Sequence, residues 1–256
     1  MFQNSHLIFV IGDRFSEFRS GKSNIILISE YWETLAHETE RTAEKIYVAG
    51  QGLSGSESIV FELSLTAANR EFLRISRLAL QPKSKLTHKR KAENIIISTP
   101  ALIDKNNFVA QLRIDDDCAE MTDHCTGQHL QGMLLMEAAR QMFIAVTETH
   151  FAEVFPSPAT YFVINDFDTK FIAFAFPLPL DIRYTILEQQ VRVGRAVSFS
   201  VRIEFVQCGK VVCDVKTQFS VHDQKVLNEK EQQRANSALI EKLEFLRGSV
   251  EVPNVG

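Results

Sequence analysis

The sequence lacks any apolar run approaching the ~20 residues of a membrane span. No secretory leader is expected either: Met1–Phe15 has no basic start, and an acidic residue follows its short apolar run. A strand is expected there instead, at His6–Ile11. Excess positive charge is missing too. Lys and Arg number 28 against 32 Asp and Glu, for a net charge of −4, which excludes a protein built to coat nucleic acid and leaves only local basic patches. Cysteine is scarce. Cys118, Cys125, Cys208 and Cys213 form no CxxC pair, so neither a disulfide framework nor a zinc ribbon is expected, and the chain suits a reducing cytoplasm. Nor do the two halves repeat one another. What remains is 256 residues, 45% hydrophobic, enough for one large domain or two small ones.

The C-terminal part has the plainest pattern. Val197–Phe205 alternates strictly, as does Val211–Val221, and Gln207-Cys208-Gly209-Lys210 joins them as a hairpin. Thr160–Phe174 and Asp181–Val193 are further strands, separated by Pro177 and Pro179. Asn94–Ser98 and Asn107–Ile114 are two more, around a turn at Asp104–Asn107. Gly132 to about His150 differs in kind: Met133, Leu134, Leu135, Met136, Ala138, Ala139, Met142, Phe143, Ala145 and Val146 nearly encircle a helix. A helix apolar on most sides is a buried one. Strand, strand, buried helix, then four strands gives an α+β hotdog fold, an antiparallel sheet wrapped around a central helix.

Three regions are expected: 1–82, 83–222 and 223–256. The first is an α+β region, with strands at His6–Ile11, Asn24–Ile28, Ser58–Thr66 and Glu71–Leu78 and a helix from Ser29 to about Tyr47. It is either an extension or a degenerate hotdog, which would make the chain a double hotdog. The second is the hotdog domain. The third, Asp223–Arg247 and a tail, is expected as an amphipathic helix docked on the outside.

Chemistry concentrates in Asp123–Phe143, DHCTGQHLQGMLLMEAARQMF. A polar loop carrying His124 and His129 leads through Gly132 into the apolar helix, whose few polar side chains are Glu137, Arg140 and Gln141. A carboxylate one turn into such a helix must be paired, protonated or functional. Two readings stand: Glu137 acts on substrate, or it pairs with Arg140 and Gln141 at i+3 and i+4. Two loop histidines are by default surface residues, but these end where a buried helix begins, as the wall of a site would. Glu137, His129 and His124 are therefore the candidate catalytic groups. Gly132, Met133, Met136, Arg140 and Gln141 are the candidate substrate contacts, with Gln141 also suited to a brace. No metal or other cofactor is expected: His124, Cys125 and His129 lie too close together on one loop, without a distant second pair.

Two other motifs are weaker. Gly50–Gly55, GQGLSG, matches GxGxxG, but the run that follows is β-like where a dinucleotide fingerprint needs a helix; a plain loop is expected. Lys83, Lys85, His88, Lys89, Arg90 and Lys91 form the only basic cluster. It is either a solvated linker or, through Lys89, Arg90 and Lys91, a dock for an acidic carrier protein or a phosphate.

His129-x-x-Gly132-Met133-Leu134-Leu135-x-Glu137-Ala138-Ala139-Arg140-Gln141, behind an aspartate-histidine loop, resembles the signature of the A-factor (γ-butyrolactone) biosynthesis hotdog family. Leu86-Thr87-His88-Lys89 followed by Glu93–Ile97 is similar to the family's opening, and the likeness spans Leu86 to Val221. The helix is more distantly similar to that of the hotdog fatty-acid dehydratases, although Asp123–Gly127 lacks the proline of their loop. The resemblance implies an enzyme of acyl thioesters. Its leading form is transfer of a β-ketoacyl group from an acyl-carrier protein or coenzyme A to a hydroxyl acceptor such as dihydroxyacetone phosphate. Dehydration of a 3-hydroxyacyl thioester and hydrolysis are alternatives, as is a hotdog that only binds acyl groups. Open sheet edges lead to an expected homodimer; no nucleic-acid or membrane partner is expected.

Overall fold

The computed structural model describes residues 6–37, 45–66, 70, 84–122, 127–192 and 196–249. Its organising unit is the hairpin of β8 (Ala196–Gln207) and β9 (Lys210–Asp223). Cys208 and Gly209 form the turn with φ of 52° and 76°, the left-handed pair that matches strand twist in a two-residue hairpin. β8 pairs on its other side with β7 (Asp181–Arg192), which continues to β5 (Asn107–Gln111) and β4 (Ala101–Asp104). β6 (Thr160–Phe171) pairs with β9. The six-stranded order is β4-β5-β7-β8-β9-β6, antiparallel throughout.

Between β5 and β6 in sequence lie a single helical turn, α4 (Ala119–Thr122), and α5 (Gly132–His150), which is buried along most of its length. Leu134, Ala138, Met142, Phe143 and Val146 pack with Phe199, Val201, Ile203, Val215 and Phe219 of the sheet in one core. Phe143 stacks on Phe219 at 4.4 Å between ring centroids. Each such side chain contributes roughly 1.5–3 kcal/mol by leaving water, so the helix is held by its surroundings more than by its own propensity. This is the hotdog fold.

Residues 6–66 form a separate three-stranded sheet of β1 (His6–Ile11), β2 (Ile25–Leu27) and β3 (Lys45–Ala49). Its order is β2-β1-β3 and its pairs are parallel, accompanied by α1 (Ser16–Arg19), α2 (Ile28–His37) and α3 (Gly55–Ser64). Two expectations change here. The helix expected to run to about Tyr47 is described as far as His37, and Ile46 and Tyr47 belong to β3. The strand expected at Ser58–Thr66 is α3. A capping box decides it: the Ser54 hydroxyl accepts from the Glu57 N–H, and the Glu57 carboxylate accepts from the Ser54 N–H at 2.8 Å. Phe61 and Leu65, four apart, then share its buried face. The strand expected at Glu71–Leu78 lies outside the described residues.

GQGLSG therefore does join a strand to a helix, yet its donors are spent within the protein. The N–H of Gln51 donates to Pro177 O at 3.1 Å, that of Gly52 to Ile114 O at 2.8 Å, and that of Gly55 to the Asp115 carboxylate. A Cβ on Gly50 would meet Pro177 O at 2.5 Å, and one on Gly12 would meet Gly52 O at 1.9 Å. The glycines let the two sheets' loops touch. With Glu57 and Asp115 already capping α3, these donors do not face a phosphate; the loop is a joint.

Two further differences are local. Asn94–Ser98 is not a full strand: a 3-10 turn at Ala92–Asn94 leads to extended chain with one bridge, Ile97 to Leu112, and β4 takes the edge beyond. The C-terminal helix, α6 (Gln224–Ser249), is formed but does not dock among the described residues. From Asn228 to Leu246 it is exposed throughout. Between Asn228 and Ala238 its only apolar side chains are Ala235 and Ala238, so it leaves the sheet before Leu239, Leu243 and Leu246 are reached.

Candidate functional site

The buried helix brings Glu137, Arg140 and Gln141 onto one side through their i+3 and i+4 spacing. The Arg140 guanidinium donates twice to the Glu137 carboxylate, at 2.8 and 2.9 Å. The Gln141 amide donates to Glu137 Oε1 at 2.9 Å and to Asn94 O at 2.8 Å, and its oxygen accepts the Ile96 N–H at 3.0 Å. Lys89 reaches in from the preceding loop, its Nζ 2.9 Å from Glu137 Oε1 and 2.9 Å from Glu120 Oε1. Cys118 donates to the other Glu120 oxygen. Two cations and two carboxylates close the network.

Its electrostatics follow from that balance. Burial pushes the Glu137 carboxyl up, but hydrogen bonds from Arg140, Gln141 and Lys89 outweigh it and hold the group below the usual carboxylate range. Burial likewise lowers Lys89, and its bonds to Glu137 and Glu120 raise it by more. All four charged groups are thus ionised at neutral pH. An ionised carboxylate holding two cations and an amide has little tendency to take a proton. The Cys118 thiol, pushed up to about 12 mainly by burial, is no nucleophile.

The start of the helix is a different environment. Gln131 is its N-cap residue, and the Gln131 side chain makes no capping hydrogen bond. A Cβ on Gly132 would lie 2.7 Å from the Phe171 ring, so only glycine fits beneath that ring. His129, half-buried, sits three residues earlier with its ring 4.8 Å from that of Phe174. The Leu130 N–H donates to Ala175 O at 2.7 Å, tying this loop to the chain that leaves β6. Met133, Phe171 and Phe174 are mostly exposed at this mouth, and Met136 is half-buried one turn further in.

The expected site residues thus fall into two groups. His129, Gly132 and Met133 gather at the helix start; Glu137, Arg140 and Gln141 gather in the ion network. Gln141 is fully buried with both ends of its amide used, the arrangement of a brace. Lys89, expected with the exposed cations, turns inward; Arg90 and Lys91 stay in solvent. His124 and Cys125 lie outside the described residues. Glu120 was missed, because nothing in its local pattern shows that a lysine thirty-one residues earlier will reach it.

The sequence model of the A-factor biosynthesis hotdog domain matches residues 74–223. The chain belongs to that family. Several solved hotdog structures are similar to it at low identity. A conserved protein of Pseudomonas aeruginosa is 15% identical, covering 55% of this chain and 99% of its own, with a TM-score of 0.39. A mutant thioesterase from the same organism is 13% identical, with 59% and 92% covered and a TM-score of 0.36. A hypothetical thioesterase of Streptococcus pneumoniae, solved with coenzyme A, is 14% identical, with 49% and 85% covered and a TM-score of 0.33. Comparison with curated proteins gives no match. In this A-factor biosynthesis hotdog domain, the matched segment takes in both the ion network and the helix start.

Proposed function

We propose that this protein is an enzyme of acyl thioesters that transfers a β-ketoacyl group from an acyl-carrier protein or coenzyme A to a hydroxyl acceptor, dihydroxyacetone phosphate being the leading candidate. The observation that carries the reading is the start of the buried helix, where the N-cap Gln131 makes no side-chain capping bond, with His129 beside it and apolar side chains around it. Backbone N–H groups at a helix N-terminus favour negative charge, which is what a thioester carbonyl oxygen gains under attack.

In the proposed reaction the His129 imidazole takes the acceptor's hydroxyl proton as the oxygen attacks the thioester carbon. The resulting oxyanion faces the first turn of α5 at Gly132 and Met133. The C–S bond then breaks, the carbonyl re-forms, and the leaving thiolate takes the proton from the imidazolium. Met133 and Met136 line the way for the acyl chain. Glu137 is a positioning residue in this scheme: with Arg140 and Lys89 it fixes the helix against the loop at residues 84–91. Arg90 and Lys91 are the cations left to meet an acidic carrier.

Mass spectrometry of β-ketoacyl-carrier protein incubated with the enzyme and dihydroxyacetone phosphate tests this. Loss of the acyl group with appearance of an acylated acceptor supports transfer. Free acid without acceptor dependence means hydrolysis, loss of water from a 3-hydroxyacyl carrier means dehydration, and an unchanged carrier means binding alone. A pantetheine-linked substrate run in parallel should be indifferent to Arg90→Glu with Lys91→Glu, while the carrier-linked one shows a higher KM; equal effects would remove those residues from carrier docking.

A further inference from the structure

Four buried side-chain nitrogen or oxygen atoms have no hydrogen-bond partner among the described residues: Gln131 Nε2, His150 Nε2, Thr169 Oγ1 and Tyr184 Oη. A buried polar atom left unpaired costs stability, so each calls for an explanation. They fall into two pairs. His150 and Tyr184 belong to the C-terminal end of α5, their rings 4.8 and 5.8 Å from that of Phe108, with Thr147 close to Tyr184. Gln131 and Thr169 belong to its start.

Strand register places Thr169 there. Thr169 lies across from Val215 of β9, and Phe171 lies across from Cys213. Directly opposed residues of paired strands share a face, and Val215 and Cys213 are both in the core. The Thr169 hydroxyl therefore points into the space between sheet and helix. Phe171 is the next side chain on that face, about 7 Å along the strand, and its ring lies over Gly132, the residue after Gln131.

Two donors thus stand on the two walls of one slot, a hydroxyl from the strand and an amide N–H from the helix N-cap. Met133 and Phe171, beside them, carry no oxygen to receive either. Both of these apolar side chains are more than half exposed, so a chain entering the slot can push them aside without breaking the core.

We propose that Thr169 and Gln131 are specificity residues, donating to the 3-oxo oxygen of a β-ketoacyl thioester. The inference rests on the acyl-thioester reading above and adds how the acyl chain is recognised. A ketone oxygen has two lone pairs and no proton, so it accepts from both donors at once. It also lies only two carbons from the thioester carbonyl that the first turn of α5 would hold. A saturated chain leaves both donors unpaired, and a site with buried polar groups discriminates against the analogue that lacks their partner.

The test uses ligands that cannot react: pantetheine amides with N–H in place of sulfur, one carrying a 3-oxoacyl chain and one a saturated chain of equal length. By calorimetry the wild-type protein should bind the 3-oxo amide about tenfold more tightly or better. Thr169→Val keeps the shape without the hydroxyl and should bring the two amides to nearly equal affinity, as should Gln131→Leu. Thr169→Val should also melt no lower than wild type, because it removes an unpartnered buried hydroxyl. A lowered melting temperature with the preference kept would make the hydroxyl structural and overturn the proposal. Equal binding of both amides by the wild type, or a preference that survives in both variants, overturns it too and leaves the acyl-thioester reading standing. Binding of neither amide by the folded protein would count against that reading itself, and the proposal would fall with it.

Discussion

At the scale of single residues, His129 and Glu137 separate by environment. His129 lies where an acceptor hydroxyl would approach the helix start, and Glu137 lies in a saturated ion network. His129→Ala is expected to lower kcat by about a hundredfold or more, the usual worth of a general base, with little change in melting temperature. Activity within a few-fold of wild type would remove the imidazole from the mechanism. Glu137→Gln is expected to act on stability first. It leaves the Lys89 and Arg140 cations with one carboxylate fewer in a largely buried place, costing about 2–3 kcal/mol. Urea titration measures this directly. An undiminished midpoint together with lost turnover would instead make Glu137 a catalytic group.

Among the elements, α5 depends on what surrounds it. Its apolar sides are covered by the sheet, and Gln141 ties its remaining side to the extended chain at Asn94–Ile96. Gln141→Leu keeps the volume but strips the Ile96 N–H and Asn94 C=O of their partner in a region closed to water. Loss of about 2–3 kcal/mol is expected, read by chemical denaturation and accompanied by faster amide exchange at Ile96. Protection at Ile96 equal to wild type would show that another group takes over the bond. α6 is the opposite case, a helix of 26 residues standing in solvent, with Leu239, Ile240, Leu243 and Phe245 exposed.

For the molecule as a whole, acid should loosen the fold before it reaches the carboxylate range. Burial holds His150 below its usual 6.5, and its Nε2 is buried without a partner among the described residues. His222 is lowered by burial and then by Lys230. A histidine whose folded value is depressed binds fewer protons folded than unfolded between the two values, so stability falls as pH drops below about 6.5. Glu137 and Glu120 act later: their depressed values give stability that is present above the unfolded 4.5 and lost as pH falls through the folded values. Asp115 and Asp116, raised chiefly by burial, oppose that second loss. Melting temperature should therefore decline from pH 7.5 to 5.5, and His150→Gln with His222→Gln should flatten the decline. A slope unchanged in the double variant would assign it to other groups.

Local pattern determined much of this protein. The alternation of Val197–Phe205 and Val211–Val221 about Cys208-Gly209 is a property of neighbouring residues, and it appears as the hairpin of β8 and β9. So is the apolar girdle of Met133–Val146, which only a buried helix can use, and the family signature that lies on it. The i+3 spacing of Glu137 and Arg140 also sets their pairing. Tertiary structure decided the rest. Ser58–Thr66 has a strand's composition; the capping box of Ser54 and Glu57 is itself local, but the core that receives Phe61 and Leu65 comes from distant chain, Val10, Ile28 and Tyr31. GQGLSG has a fingerprint's spacing, yet carbonyls of Ile114 and Pro177, more than sixty residues away, take its donors. Lys89 stands in a run of basic residues like its neighbours, and only the fold turns it inward between Glu120 and Glu137. Period and capping are written in adjacent residues; the partner of a buried charge or a loop N–H is supplied by distant chain, and no local pattern encodes which.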